Sequence, residues 1–267
     1  MRRMPSGSKS KQEAARQARL EREAAERAAA ERKKRLGILG GALVVVVVIV
    51  GIVLAAGVFK SDPAENASKT NGVSGVNETR DLLAGVPVKG TLIGNPNAPV
   101  TILELADLKC PACKAHQLGD QIEVVKQLVR TGKANLDLRL VNIIDPGMGT
   151  TDGERARRVA DNLIASNKYW PFVNVNYYNQ GDERDEWATT EELQKLATSV
   201  DAGPINERET PATRKSEADA QRLFEGLEAQ GTPSSYVKPR GTNAYTPVNS
   251  DIGSLTTAVE AAAKQAK

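Results

Sequence analysis

Thiols and imidazoles are scarce in this chain of 267 residues, which holds two cysteines and one histidine. Two thiols exclude a framework of several disulfides and any four-thiolate metal centre, and a lone imidazole excludes His-rich metal chemistry. No metal and no cofactor is therefore expected. Aromatic residues make up only 4% of the chain, while 40% is hydrophobic and 26% charged, so it is neither collagen-like nor wholly disordered. An excess of one charge is also nearly missing, with 36 Lys and Arg against 33 Asp and Glu. That balance hides a split: residues 1–36 carry 12 basic and 5 acidic side chains, which leaves the remainder at −4. A mildly acidic main part excludes a phosphate-backbone partner, so no nucleic acid is expected.

What is present divides the chain. Gly37 to Phe59 reads GILGGALVVVVVIVGIVLAAGVF, 23 residues without a charge. As a helix this run is about 34 Å long, enough for a hydrocarbon core, and Arg32 to Arg35 and Lys60 bracket it. A single transmembrane helix is predicted over 37–59. The basic segment 1–36, nearly all Ala, Glu and Arg from Glu13 onward, is read as a solvated helix on the cytoplasmic side. The protein is thus expected in the cell membrane, single-pass, with everything after Lys60 extracytoplasmic, an oxidising setting for the cysteines. Residues 60–85, rich in Ser, Asn, Gly and Asp, are predicted to be a flexible linker.

The outer part, 86–267, alternates element types. VTILEL at Val100 to Leu105 is a strand signal, and Val124, Val125, Leu128 and Val129 follow at helical spacing. Leu136, Leu138 and Leu140 then alternate with Asp137 and Arg139 as a second strand. A parallel pairing with a right-handed crossover is expected. Between about 150 and 230 strand signals vanish, and helices are predicted near Glu154 to Asn167, Thr190 to Val200 and Lys215 to Gln230. Six of the ten aromatics, Tyr169, Trp170, Phe172, Tyr177, Tyr178 and Trp187, fall between 169 and 187 and are expected to knit that block together. Two antiparallel strands, around Tyr236 and at Ala244 to Val248, precede a last helix from Asp251 to about Gln265, capped by Ser250 or Asp251. The domain is α/β, and β-α-β, helical insertion, β-β-α is the order of the thioredoxin fold.

Both cysteines fall at the junction of the first strand and its helix, as Cys110-Pro-Ala-Cys113. Chance would give two cysteines this spacing about once in 130. Cys110 is expected at the helix N-terminus, where unpaired N–H groups and the helix dipole favour a thiolate, and Pro111 suits the first helical position. Lowering a thiol pKa of about 8.5 by two requires roughly 2.7 kcal/mol. The dipole supplies about 0.3–2 of this, so direct hydrogen bonds must supply the rest. Cys113, one turn further in, is predicted to be more buried and to resolve a mixed disulfide on Cys110. Zinc would need more ligands than His116 can add, haem attachment would need His where Lys114 stands, and an inert structural disulfide is the plainer alternative. His116 itself is expected to be an exposed helix residue.

The run from Gly94 to Cys113, GNPNAPVTILELADLKCPAC, resembles the DsbA-like thiol–disulfide oxidoreductases, especially their membrane-anchored bacterial members. The stretch Tyr169-Trp-Pro-Phe172 through Trp187 is similar to the aromatic part of that family's helical insertion, and Gly231-Thr-Pro-Ser234 to its cis-proline loop. The resemblance implies catalytic Cys110 and Cys113, a cis Pro233 facing them, and a Thr232 backbone that pairs with an extended substrate. It also implies a pKa-tuning role for Glu104, whose alternation on the strand fits either burial or exposure. The implied activity is disulfide formation in reduced exported proteins by a monomer, with a quinone-linked membrane oxidoreductase for recycling. A reductase or isomerase, or a non-catalytic envelope binding protein, are the alternatives. Ala112 replaces the His or Tyr common between the cysteines, so a less strongly oxidising pair is expected.

Overall fold

The computed structural model describes residues 64–266. The predicted span at 37–59 and the basic segment 1–36 lie outside them, and no helix among the described residues is long and apolar enough to cross a membrane. The flexible linker expected over 60–85 is corrected from residue 64 onward. Strands β1 (Lys69–Thr70) and β2 (Val73–Ser74) pair antiparallel, and helix α1 (Val76–Leu83) follows them. Three inward side chains hold this unit down, with Val73, Val76 and Thr79 at most 3% exposed. So few apolar positions leave no periodic trace in a polar stretch. Gly75 turns the hairpin into the helix at φ 79°, and a Cβ there would stand 2.1 Å from the Tyr178 ring. Only glycine meets both demands.

A six-stranded mixed sheet forms the centre. A hairpin, β3 (Val88–Lys89) and β4 (Leu92–Ile93), adds to one side of it. Then β5 (Val100–Ala106) leads through α2 (Pro111–Gln117) and α3 (Asp120–Val124), which continues as a π turn at Val125–Val129, into β6 (Ala134–Leu140). β5 and β6 are parallel with Ile102 opposite Leu136, as the helical crossover requires. β7 (Ser234–Pro239) runs antiparallel to β5, and β8 (Thr246–Val248) closes the order β3-β4-β6-β5-β7-β8.

β5 is central, and six of its seven residues are buried. Both of its faces are covered, which is why its sequence lacks clean alternation. Leu103 and Leu105 join Tyr236 on one face, under Leu223, Phe224 and Leu227. Val100, Ile102 and Ala106 belong to the larger core on the other, and Glu104 shares their side by the period of two.

The helical insertion comprises α4 (Ile144–Met148), α5 (Asp152–Asn162), α6 (Tyr169–Tyr178), α7 (Thr190–Ser199) and α8 (Pro211–Gly226). The three expected helical stretches correspond to α5, α7 and α8. The aromatic segment forms α6, buried on nearly every side, and an all-round apolar helix shows no amphipathic stripe. Tyr169, Trp170, Phe172 and Tyr177 are at most 1% exposed, each worth roughly 2–3 kcal/mol of transfer. The last helix, α9 (Ile252–Ala263), starts where expected, with the Asp251 carboxylate accepting from Ser254 N–H at 2.8 Å.

Candidate active site

Cys110 is the N-cap of α2, with extended backbone (φ −73°, ψ 119°) and Pro111 in the first turn. Proline at that position gives up no hydrogen bond and aims the following N–H groups at the cap. The Cys113 N–H donates to Cys110 Sγ at 3.4 Å. From the opposite side the Cys110 thiol donates to the Thr232 carbonyl at 3.3 Å, which brings residues 122 apart in sequence into contact. The Thr232–Pro233 peptide is cis. Both cysteines are free thiols in this structure.

The two sulfurs differ in environment. Cys110 is 5% exposed and Cys113 is 0% exposed. A hydrogen bond from the Cys113 thiol is the largest influence on Cys110. Burial opposes it, and Thr232 and the N–H groups of Cys113 and Ala112 assist, bringing the Cys110 pKa down to about 6. The Thr232 hydroxyl is buried and has no hydrogen-bond partner. Burial, followed by the hydrogen bond to and the negative charge of Cys110, pushes the Cys113 thiol well up. The pair therefore divides its titration, one sulfur ionised at neutral pH and its neighbour protonated.

Beneath α2 lies Glu104, 1% exposed. Its carboxylate accepts from Gln117 Nε2 at 2.6 Å and lies 3.3 Å from His116 Nε2. Of the two environments the strand pattern allows for Glu104, the structure has the buried one. His116 is corrected: it is 7% exposed rather than on the helix exterior, because Cys113, His116 and Gln117 at i, i+3 and i+4 form the stripe of α2 that faces the sheet.

A second buried polar set, not foreseen from the sequence, holds the turn before Cys110. Lys109 is 0% exposed, and its ammonium donates to Thr150 Oγ1 at 2.9 Å, Asp152 Oδ1 at 2.6 Å and the Asp185 carbonyl at 3.0 Å. Three donors thus meet three acceptors, with Asp145 3.6 Å away as a further counter-charge. Asp107 closes the turn by accepting from Lys109 N–H at 2.8 Å, and from Ile143 and Ile144 N–H through its other oxygen. The Asp107 N–H reaches Cys113 Sγ at 3.5 Å. From α6, Tyr177 donates to the Asp107 carbonyl at 3.1 Å, and just beyond it Gln180 donates to the carbonyls of Leu108 and Cys110 at 2.7 and 3.2 Å. The insertion is thereby tied to the cysteine turn. The one local sign of this was Asp107 two residues before Lys109, the spacing of an Asx turn.

Comparisons with known proteins agree with this geometry. The thioredoxin family profile matches residues 87–246. Disulfide bond formation protein D of Bacillus subtilis (strain 168) is 26% identical over 169 residues, which cover 60% of this chain and 73% of that protein. The probable disulfide bond formation protein D of Bacillus anthracis is 26% identical over 179 residues, covering 63% and 76%. The crystal structure of oxidised BdbD from Bacillus subtilis superposes with a TM-score of 0.54 at 20% identity over 66% of this chain and 94% of that one. Wolbachia pipientis α-DsbA1 does so with a TM-score of 0.51 at 16% identity over 70% and 96%. At such identities the structural likeness speaks for the fold. The chain belongs to the thioredoxin family; it is a thiol–disulfide oxidoreductase similar to the DsbA-like proteins.

Proposed function

We propose that the protein is an extracytoplasmic disulfide oxidase, anchored by the predicted span at 37–59, in which Cys110 exchanges with clients and Cys113 is its internal disulfide partner. The observation that carries this reading is the contrast between the two sulfurs: Cys110 Sγ caps the helix and accepts from the Cys113 N–H, with its pKa brought down to about 6, while Cys113 is 0% exposed and its thiol is pushed well up by burial. In the oxidised form a client thiolate attacks Cys110 Sγ and Cys113 leaves as the thiol, taking up a proton. A second client thiolate then attacks the client sulfur of the mixed disulfide and releases Cys110 as the thiolate. Two electrons pass from the client dithiol to the pair and the client keeps the disulfide. A leaving group with a low pKa departs readily, and a stabilised thiolate makes the reduced form the favoured product, which is what an oxidant needs.

Thr232 and Pro233 supply the neighbouring wall, and the Thr232 carbonyl that accepts from the Cys110 thiol is free to accept a client backbone N–H once that sulfur is bonded. Glu104 is proposed to tune the pair from beneath. Relatives named for disulfide bond formation support the same direction of transfer. Clients would be reduced exported proteins, and a quinone-linked membrane oxidoreductase would reoxidise the pair. The test is oxidation of a reduced, unfolded protein by the full chain, alongside the reduction potential of the pair. Oxidation of the client with loss of all activity in Cys110→Ser is expected. A potential as low as that of thioredoxin, about −270 mV, would favour a reductase and overturn the proposal.

A further inference from the structure

The histidine at 116 has no place in the exchange chemistry, yet it is 7% exposed and its Nε2 lies 3.3 Å from Glu104 Oε2. Burying a carboxylate without a counter-charge is costly. The other cations near this end of the sheet are committed elsewhere, Arg139 to Asp137 at 2.9 Å and Lys109 to Asp152 at 2.6 Å. The register partners of Glu104, Leu138 on β6 and Ser235 on β7, bring no charge. We infer that His116 is the built-in counter-ion of Glu104, a positioning residue whose protonation sets how firmly Cys110 holds its negative charge. The inference rests on the reading of Cys110 as the exchanging thiol.

The groups concerned share one buried region. Cys113 and His116 lie on the same stripe of α2, one turn or about 5 Å apart along the axis. The Tyr177 hydroxyl, from α6, feels the charges of Cys113, Glu104, Asp107 and Cys110 together. The charged groups facing His116 are Glu104 from β5 and Asp120 from α3, with Gln121 as a further hydrogen-bond partner. Asp120 itself accepts from the Ile252 N–H of α9 at 3.2 Å. Burial alone would discharge the imidazole, but Glu104 and then Asp120 outweigh it and raise the His116 pKa above its ordinary value. A protonated His116 and an ionised Glu104 cancel at the distance of the cysteines. With the imidazolium gone, the carboxylate opposes the thiolate. With the carboxylate gone, the buried imidazole loses the larger of its counter-charges and is discharged with it, so little net charge is left to act on the thiolate. One uncompensated charge about 10 Å away at an effective dielectric of about 20 moves a pKa by about one.

The experiment uses the full reduced chain and follows thiolate ultraviolet absorbance against pH. His116→Gln, which keeps a donor toward Glu104 but carries no charge, is expected to raise the Cys110 pKa by about one and lower the reduction potential. Glu104→Gln, which discharges the imidazole along with the carboxylate, and the double variant are both expected to stay near the parent. A rise of the same size in both single variants, or in neither, would overturn the inference. The unaltered protein provides a check independent of folding defects, since the chain has one histidine and its imidazole proton signals are unambiguous. By reciprocity the imidazole must titrate higher in the reduced form, with its nearby thiolate, than in the oxidised form. An identical titration in the two forms would also overturn it. If instead Cys110 of the unaltered protein titrates at about 8.5, the ordinary thiol value, the reading of Cys110 fails, a result distinct from either of these.

Discussion

Lys109 Nζ and Asp152 Oδ1 stand 2.6 Å apart with neither side chain exposed to solvent. A buried pair of this kind contributes little net stability when whole, but removing one member leaves an uncompensated charge. Lys109→Met would leave Asp152 and the nearby Asp145 facing each other without their shared cation. The expected cost is about 3–5 kcal/mol in denaturant unfolding. Adding Asp152→Asn should recover part of it. A loss below about 1 kcal/mol would show that the ion cluster does not hold the turn before Cys110.

The reduced and oxidised forms should differ in their response to pH. The Cys110 pKa of about 6 in the folded chain lies below the value of about 8.5 for an unfolded thiol. Between these values the unfolded reduced chain binds more protons, so the stability of the reduced form rises with pH. The contribution is fully present above about pH 8.5 and is lost as the pH falls through about 6, amounting to about 3 kcal/mol. The oxidised form has no thiol to titrate. Comparing urea unfolding of both forms from pH 5 to 9 measures this, and a constant difference across that range contradicts a depressed Cys110 pKa.

Covalent trapping separates the roles proposed for the two sulfurs. Cys113→Ala should accumulate mixed disulfides formed when the Cys110 thiolate attacks a client disulfide and displaces one client thiol, since no internal thiol remains to attack Cys110 and release the client. Cys110→Ser should accumulate none, because Cys113 is 0% exposed. Non-reducing electrophoresis distinguishes the two, and equal trapping by both variants would contradict the assignment.

The hairpin and helix ahead of the sheet are expected to carry real stability. Thr79 Oγ1 donates to Asn174 Oδ1 at 2.9 Å in a buried contact. Thr79→Val keeps the shape and orphans that oxygen, at a cost of about 1–3 kcal/mol. Gly75→Ala should cost at least as much, since Tyr178 must move and the left-handed backbone is unfavourable for alanine. Thermal unfolding reads both, at about 2–4 °C per kcal/mol for a domain of this size. Unchanged midpoints in both variants would mean that this unit is only loosely attached.

Legibility in the sequence followed locality. The cysteine pair at a helix start, the β-α-β order and the Asp251 cap depend on residues a few positions apart, and each is visible as a spacing. The site's supporting contacts are not local. Lys109 meets Asp152 43 positions away, and Gln180 reaches the Cys110 carbonyl across 70. Lys109, Tyr177 and Gln180 each have an ordinary composition-level explanation as surface or core residues, so no pattern singles them out. His116 went astray for a related reason: helical spacing puts it on the face of Cys113, but a histidine is as common outside as in. The α6 helix and the early hairpin escaped because one is apolar all round and the other nearly polar throughout.

The complete enclosure of Cys113 has one further consequence. A small oxidant or reductant arriving from the surrounding fluid meets a single sulfur atom, so traffic in either direction passes through one door. Peroxide that converts Cys110 to a sulfenic acid finds Cys113 waiting behind it to form the internal bond. The fold thereby turns an otherwise damaging encounter into a return to its own oxidised state.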